Sequence, residues 1–172
     1  MALSFILELG IVFLTRVQTK SPNSLSTKNP YGEETPVDSS EPNDVVLTVT
    51  NHSKVVQFTL KSLWKLVTIQ ASIFKPFVKV PQTFTVVTLA KIFKSANSFP
   101  TADVMTGSLN DYVYTNSPMN FTDSRGQLAI ARFGVPIPHD QGGTIPIILP
   151  DKSVLGKNTN VWNWSLSVIR VK

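Results

Sequence analysis

The sequence predicts an all-β fold: an antiparallel β-sandwich of the single jelly-roll type, carried behind an extended N-terminal arm. Three observations lead there. Short apolar runs recur along the chain and are separated by polar turns rich in Ser, Asn and Pro, the spacing of a many-stranded sandwich. No long segment carries the apolar period of an amphipathic helix. Proline outnumbers glycine, 12 to 8, which suits strands joined by stiff connections.

Taken in order, the chain opens on an apolar segment, Met1 to Leu14. No basic residue precedes it, Glu8 interrupts it, and no small-x-small cleavage site follows, so it departs from a signal peptide. It is shorter than the roughly 20 residues a membrane-spanning helix needs. We read it as a segment that packs on the body or on a neighbouring subunit, with Phe5, Ile6, Leu7, Ile11, Val12 and Phe13 as the interface side chains. Lys20 to Asp44 is polar and rich in Ser, Pro, Asn and Glu, the composition of a linker. Residues 1–44 therefore read as an arm, and residues 45–172 as the sandwich domain.

Val45–Thr50 is the first strand, Asn51–Lys54 a turn by its residue types, and Val55–Leu60 the second strand. Two longer runs organise the middle of the chain. In Ser62–Ala71 the odd positions from Leu63 onward are apolar except Lys65. Thr83–Ile92 is rich in β-branched residues. Both read as half-buried strands, joined by the proline-framed stretch Phe74–Pro81. Lys94–Asp103 reads as a polar turn. Thr101–Gly107 reads as a helical turn, with Thr101 as cap and Gly107 as stop. Leu109–Tyr114 is a short strand, and Ser117–Gly126 a loop. Gln127–Phe133 alternates as a strand, and Pro136–Gly143 is a loop. Ile145–Pro150, with proline near both ends, can be only an edge strand or an extended connection. Asp151–Asn160 is polar. Val161–Val171 closes the domain as a strand, with Trp162, Trp164, Leu166 and Val168 on one face and Asn163, Ser165 and Ser167 on the other.

The chemistry-bearing residues are sparse. The chain has no cysteine, which excludes disulfides, thiolate metal sites and cysteine nucleophiles. His52 and His139 are its two histidines. His139 and Asp140 are neighbours in sequence, but a triad needs contact in space. The body's acidic residues, Asp103, Asp111, Asp123, Asp140 and Asp151, stand apart, with no sign of a carboxylate pair. Gly142-Gly143 lacks the context of a phosphate loop. The expectation is no catalytic residue, no metal, no cofactor and no enzyme. Asn51, Asn120 and Asn163 begin glycosylation sequons, which a chain this rich in Ser and Thr yields by chance.

Charge is distributed unevenly. Charged residues make up 16% of the chain, against about 25% in an average domain, and so uncharged a surface suits burial against partners. The net charge is +5. The first 44 residues hold 3 basic and 6 acidic side chains, and the rest 13 and 5. A basic body attracts nucleic acid or anionic membrane; a solvated surface is the plain reading. Lys75, Lys79, Lys91 and Lys94 flank the second long run, interleaved with Phe74, Phe77, Phe84 and Phe93. One reading is a patch that contacts nucleic-acid phosphates. The other is core phenylalanines with solvated lysines.

Ser62-Leu-Trp64 opening a strand, Pro81-Gln-Thr-Phe-Thr-Val86, then Ser95-Ala-Asn-Ser-Phe-Pro-Thr-Ala-Asp-Val104 with Gly107 after it, resembles the coat proteins of tymoviruses and their relatives. That resemblance implies a jelly-roll subunit that self-assembles into an icosahedral capsid around single-stranded RNA. Its partners would be many copies of itself, viral RNA and other coat proteins of the shell, with no membrane required. Its locations would be the virion and, during assembly, the host cytoplasm. The alternative is a secreted or membrane-attached β-sandwich binding module, with residues 1–20 as leader.

Overall fold

The computed structural model describes residues 40–66, 68–74, 80–99, 103–117, 121, 125–150, 153 and 155–172. Two sheets face each other across one apolar core. The five-stranded sheet runs β2 (Lys54–Thr59), β1 (Val45–Asn51), β9 (Leu166–Val171), β5 (Val104–Ser108), β6 (Val113–Asn116). The four-stranded sheet runs β3 (Ile69–Phe74), β4 (Pro81–Thr88), β7 (Gln127–Arg132), β8 (Ile147–Ile148). The all-β sandwich is therefore the fold. Pairing is antiparallel except between β1 and β9, which run parallel with Thr48 opposite Val168.

Alternation builds the core. Leu47 and Val49 of β1 face inward with Ile169 of β9, opposite Phe84 and Val86 of β4 and Leu128 and Ile130 of β7, all closed to solvent. Burying such side chains contributes about 1.5–3 kcal/mol each. β7 departs from the expected one-sided alternation. All of Gln127–Ala131 is buried, so both faces of the strand are covered, and it is also paired on both edges, by β4 and β8. β8 lies at the end of its sheet, where its flanking prolines are tolerated.

Two long runs read as strands each contain a short helix. Ser62–Ala71 is split between α1 (Leu60–Trp64) and β3. Thr83–Ile92 ends as β4 at Thr88 and continues as α2 (Leu89–Ser95). The physical reason is the same at both places. A threonine at the strand end turns its hydroxyl onto the backbone N–H three residues on: Thr59 accepts from Ser62 N at 3.1 Å, and Thr88 from Lys91 N at 3.4 Å. That satisfies a donor which the first helical turn leaves open. The buried positions then follow helical spacing, Leu60 and Leu63 in α1, Leu89, Ile92 and Phe93 in α2. The strand period ends where the cap begins.

Two more corrections follow from pairing. Val104–Gly107, read as part of a helical turn, is strand β5, locked between β9 and β6. Ladder bonds on both sides outweigh a weak local cap. The closing strand starts at Leu166 rather than Val161, because Ser165 adopts a positive φ of 52° and breaks the extended run. Residues 159–161 form a 3-10 turn instead. Leu109–Tyr112, taken as the start of a strand, is the tight turn from β5 into β6.

The apolar tip and most of the polar linker, including Phe5, Ile6, Leu7, Ile11, Val12 and Phe13, lie outside the described residues. Among the described residues, no helix is long and apolar enough to cross a membrane.

Candidate functional site

One cleft stands out, of about 250 Å³, where the β5–β6 turn meets the chain that leads into β9. The turn is closed by its own backbone. Ser108 N donates to Tyr112 O at 2.9 Å, and Asp111 N to Ser108 O at 3.2 Å. This brings Ser108, Asn110 and Tyr112 to the cleft. The opposite wall comes from the 3-10 turn, through Thr159 and Asn160, and from Trp162 and Trp164 just after it.

Each wall is held by bonds that cross the gap. Tyr112 donates its phenol O–H to the Asn160 carbonyl at 2.8 Å. Leu109 N donates to Ser165 O at 3.0 Å. Within the second wall, the Asn158 side chain accepts from Asn160 N at 3.1 Å and so caps the 3-10 turn. The same side chain donates to the Tyr114 hydroxyl at 3.4 Å. Trp162 is buried and donates its indole N–H to Gly156 O at 3.4 Å. Asn163 points the other way, into the sandwich, where it is fully buried and donates to Thr106 Oγ1 at 3.0 Å. A side chain so enclosed cannot carry a glycan.

Trp164 owes its position to a glycine. Gly142 has a φ of 86°, and a Cβ built there would lie 2.4 Å from Trp164 Cε3. The absence of a side chain lets the indole lie against the backbone. Ser165 N, next to the tryptophan, donates to Gly142 O at 3.1 Å and fixes the contact. The two indoles then sit with centroids 6.3 Å apart and planes tilted by 35°.

The chemical character of the cleft is aromatic and neutral. Among the described residues, no carboxylate, ammonium, guanidinium or imidazole lines it. Its polar groups are hydroxyls and carboxamides, each able to donate and to accept. The Ser108 hydroxyl is closed to solvent and meets no hydrogen-bond partner among the described residues.

The residues singled out from the sequence lie elsewhere. Lys91 and Lys94 sit on α2, half-buried and exposed respectively; Lys75 and Lys79 fall outside the described residues. Phe84 and Phe93 are core, while Phe74 is 43% exposed at the end of β3. His139 and Asp140 form a second short 3-10 turn. There Ser40 Oγ lies 3.4 Å from His139 Nε2 and 2.8 Å from Thr144 Oγ1, and Arg132 donates to Gln141. The serine–histidine contact is long for a nucleophile and its base, and the serine hydroxyl already pairs with the threonine. Among the described residues, no group of three His, Cys, Asp or Glu could hold a metal ion.

The cleft residues were not legible as a site. Trp162 and Trp164 alternate convincingly as strand residues, and nothing local marks them as a wall. The one available sign was Asn158-Thr159-Asn160 directly before them, a composition that favours a turn over a strand.

No family model matches the chain, and no curated protein does. Among solved structures, the chain is similar to a chain of the sulfane dehydrogenase SoxCD from Paracoccus pantotrophus, with a TM-score of 0.60 and 11% identity. The likeness covers 83% of this chain and 45% of that one, so this chain spans less than half the length of its neighbour. At that identity the likeness carries the fold. It corrects two expectations. The scaffold is shared with a chain of an enzyme, so the self-assembling capsid protein drawn from the tymovirus resemblance is withdrawn. So is the expectation that the chain stands outside the enzymes.

Proposed function

We propose that the chain is a small-molecule-binding domain, built on a scaffold that an oxidoreductase also uses, and that its ligand is a compact uncharged organic molecule. The observation that carries this reading is the cleft itself: two indoles and a phenol ring facing hydroxyls and carboxamides, with no charged side chain among the described residues. Apolar walls with a few convergent polar groups are the usual make-up of a ligand site. Removing a charged group from water without a counter-charge is costly, so a cleft of this kind selects neutral molecules.

The test is a titration of the full chain with a panel of uncharged small molecules, followed by tryptophan emission. The chain has 3 tryptophans, and a Trp64→Phe background leaves the two in the cleft as reporters. A saturable change that persists at high salt is the expected result. A response only to charged compounds, or to none, counts against the reading.

A second reading rests on the fold likeness: catalysis on a reduced sulfur compound, in keeping with the neighbour's name. Such a reaction releases electrons, so an acceptor must be present. Turnover of a sulfane-sulfur compound by the full chain with an electron-accepting dye would support it. Absence of turnover alongside saturable binding of neutral ligands favours the binding domain.

A further inference from the structure

We infer that the ligand class of the cleft is a single neutral sugar ring in pyranose form; this rests on the small-molecule reading above and narrows it. Wall geometry argues first. A flat heteroaromatic ring gripped on both faces needs parallel planes roughly 7 Å apart, two carbon contact distances. The indoles of Trp162 and Trp164 are 6.3 Å apart at their centroids and tilted by 35°, so they cannot grip one. A puckered ring needs a single aromatic surface for the C–H bonds of one face, and it carries its hydroxyls around the rim.

The polar groups argue second. Asn110, Thr159 and Asn160 are exposed at the cleft, and each can both donate and accept. A sugar hydroxyl has the same dual character and meets any of them in either sense. Tyr112 has committed its O–H to the Asn160 carbonyl, which leaves its ring as wall. Charge argues third. A phosphate, carboxylate or amine would meet no side chain of opposite sign among the described residues that line the cleft. Size sets the limit to one ring: about 250 Å³ falls below the roughly 300–1,000 Å³ of pockets that take drug-sized molecules.

The experiment is calorimetric titration of the full chain with the methyl pyranosides of glucose, galactose, mannose and N-acetylglucosamine, and separately with adenine and nicotinamide as neutral flat rings. The expected result is saturable binding of at least one pyranoside, insensitive to salt. Trp164→Ala and Asn110→Ala should each weaken it by about tenfold, as loss of a central contact does. Trp64→Ala, on helix α1 and outside the cleft lining, should leave it unchanged, and circular dichroism checks that each variant is folded. Failure of every pyranoside to saturate overturns the proposal. If adenine or nicotinamide binds instead, the sugar class falls while the small-molecule reading stands. If nothing in either set binds, both fall.

Discussion

α1 and α2 are written in nearly the same short code and carry different weight in the fold. Thr59-Leu60-Lys61-Ser62-Leu63 and Thr88-Leu89-Ala90-Lys91-Ile92 each follow a strand directly, and each turns the chain by a threonine cap. Neither helix is long enough to persist alone, since isolated helices below about 12 residues are marginal in water. What differs is the residue that follows. In α2 the next position is Phe93, fully buried; in α1 it is Trp64, 41% exposed. The cap decides where the strand stops. The residue after the repeated pattern decides how much the helix contributes to the core.

That contrast can be broken at several points. The largest effect should come from Phe93→Ala, which empties a sealed site and should cost about 3–5 kcal/mol, read from urea unfolding of the full chain. Leu63→Ala removes the deepest residue of α1 and should cost about 2–5 kcal/mol. A cost for Leu63→Ala well above that for Phe93→Ala would invert the comparison. Thr88→Ala and Thr59→Ala should each cost about 1 kcal/mol. The two caps share no partner, so the double variant should show the sum of the single losses. The smallest effect should be Trp64→Ala, within about 0.5 kcal/mol, as for an exposed side chain. A clear loss there would mean that the indole covers more than its exposure suggests.

The fold class was legible because it rests on repetition. Val45–Thr50, Val55–Leu60 and Gln127–Phe133 announce themselves by type and by the turns around them, and the structure places strands over all but the last residue of the latter two. The two helices were hidden because a threonine is at once a good strand residue and a good cap, and only the backbone direction after it tells which. Val104–Gly107 misled in the opposite sense. Its local signs favour a turn, and the pairing that makes it a strand comes from the hairpin partner at residues 113–116 and from residues 168–171, the latter far along the sequence. The cleft was illegible for a related reason. Its two walls are separated by dozens of residues, and Trp164 is held by Gly142 from a third segment. Periodicity within one window cannot report a contact between three.

The parallel pairing of β1 with β9 also governs how the five-stranded sheet can form. β9 is the middle strand, with β1–β2 on one side and β5–β6 on the other. Both flanking pairs are antiparallel hairpins of local contacts, which form in microseconds. Joining them requires Val168 to reach Thr48 across almost the whole described chain, a long loop closure of the kind that slows folding. Until β9 arrives, β1 and β5 each present an open edge of unpaired N–H and C=O groups, and strand edges of that kind pair with other chains. The interval before β9 docks is therefore when this protein is most exposed to aggregation, and a chain stopped short of Leu166 would never leave it.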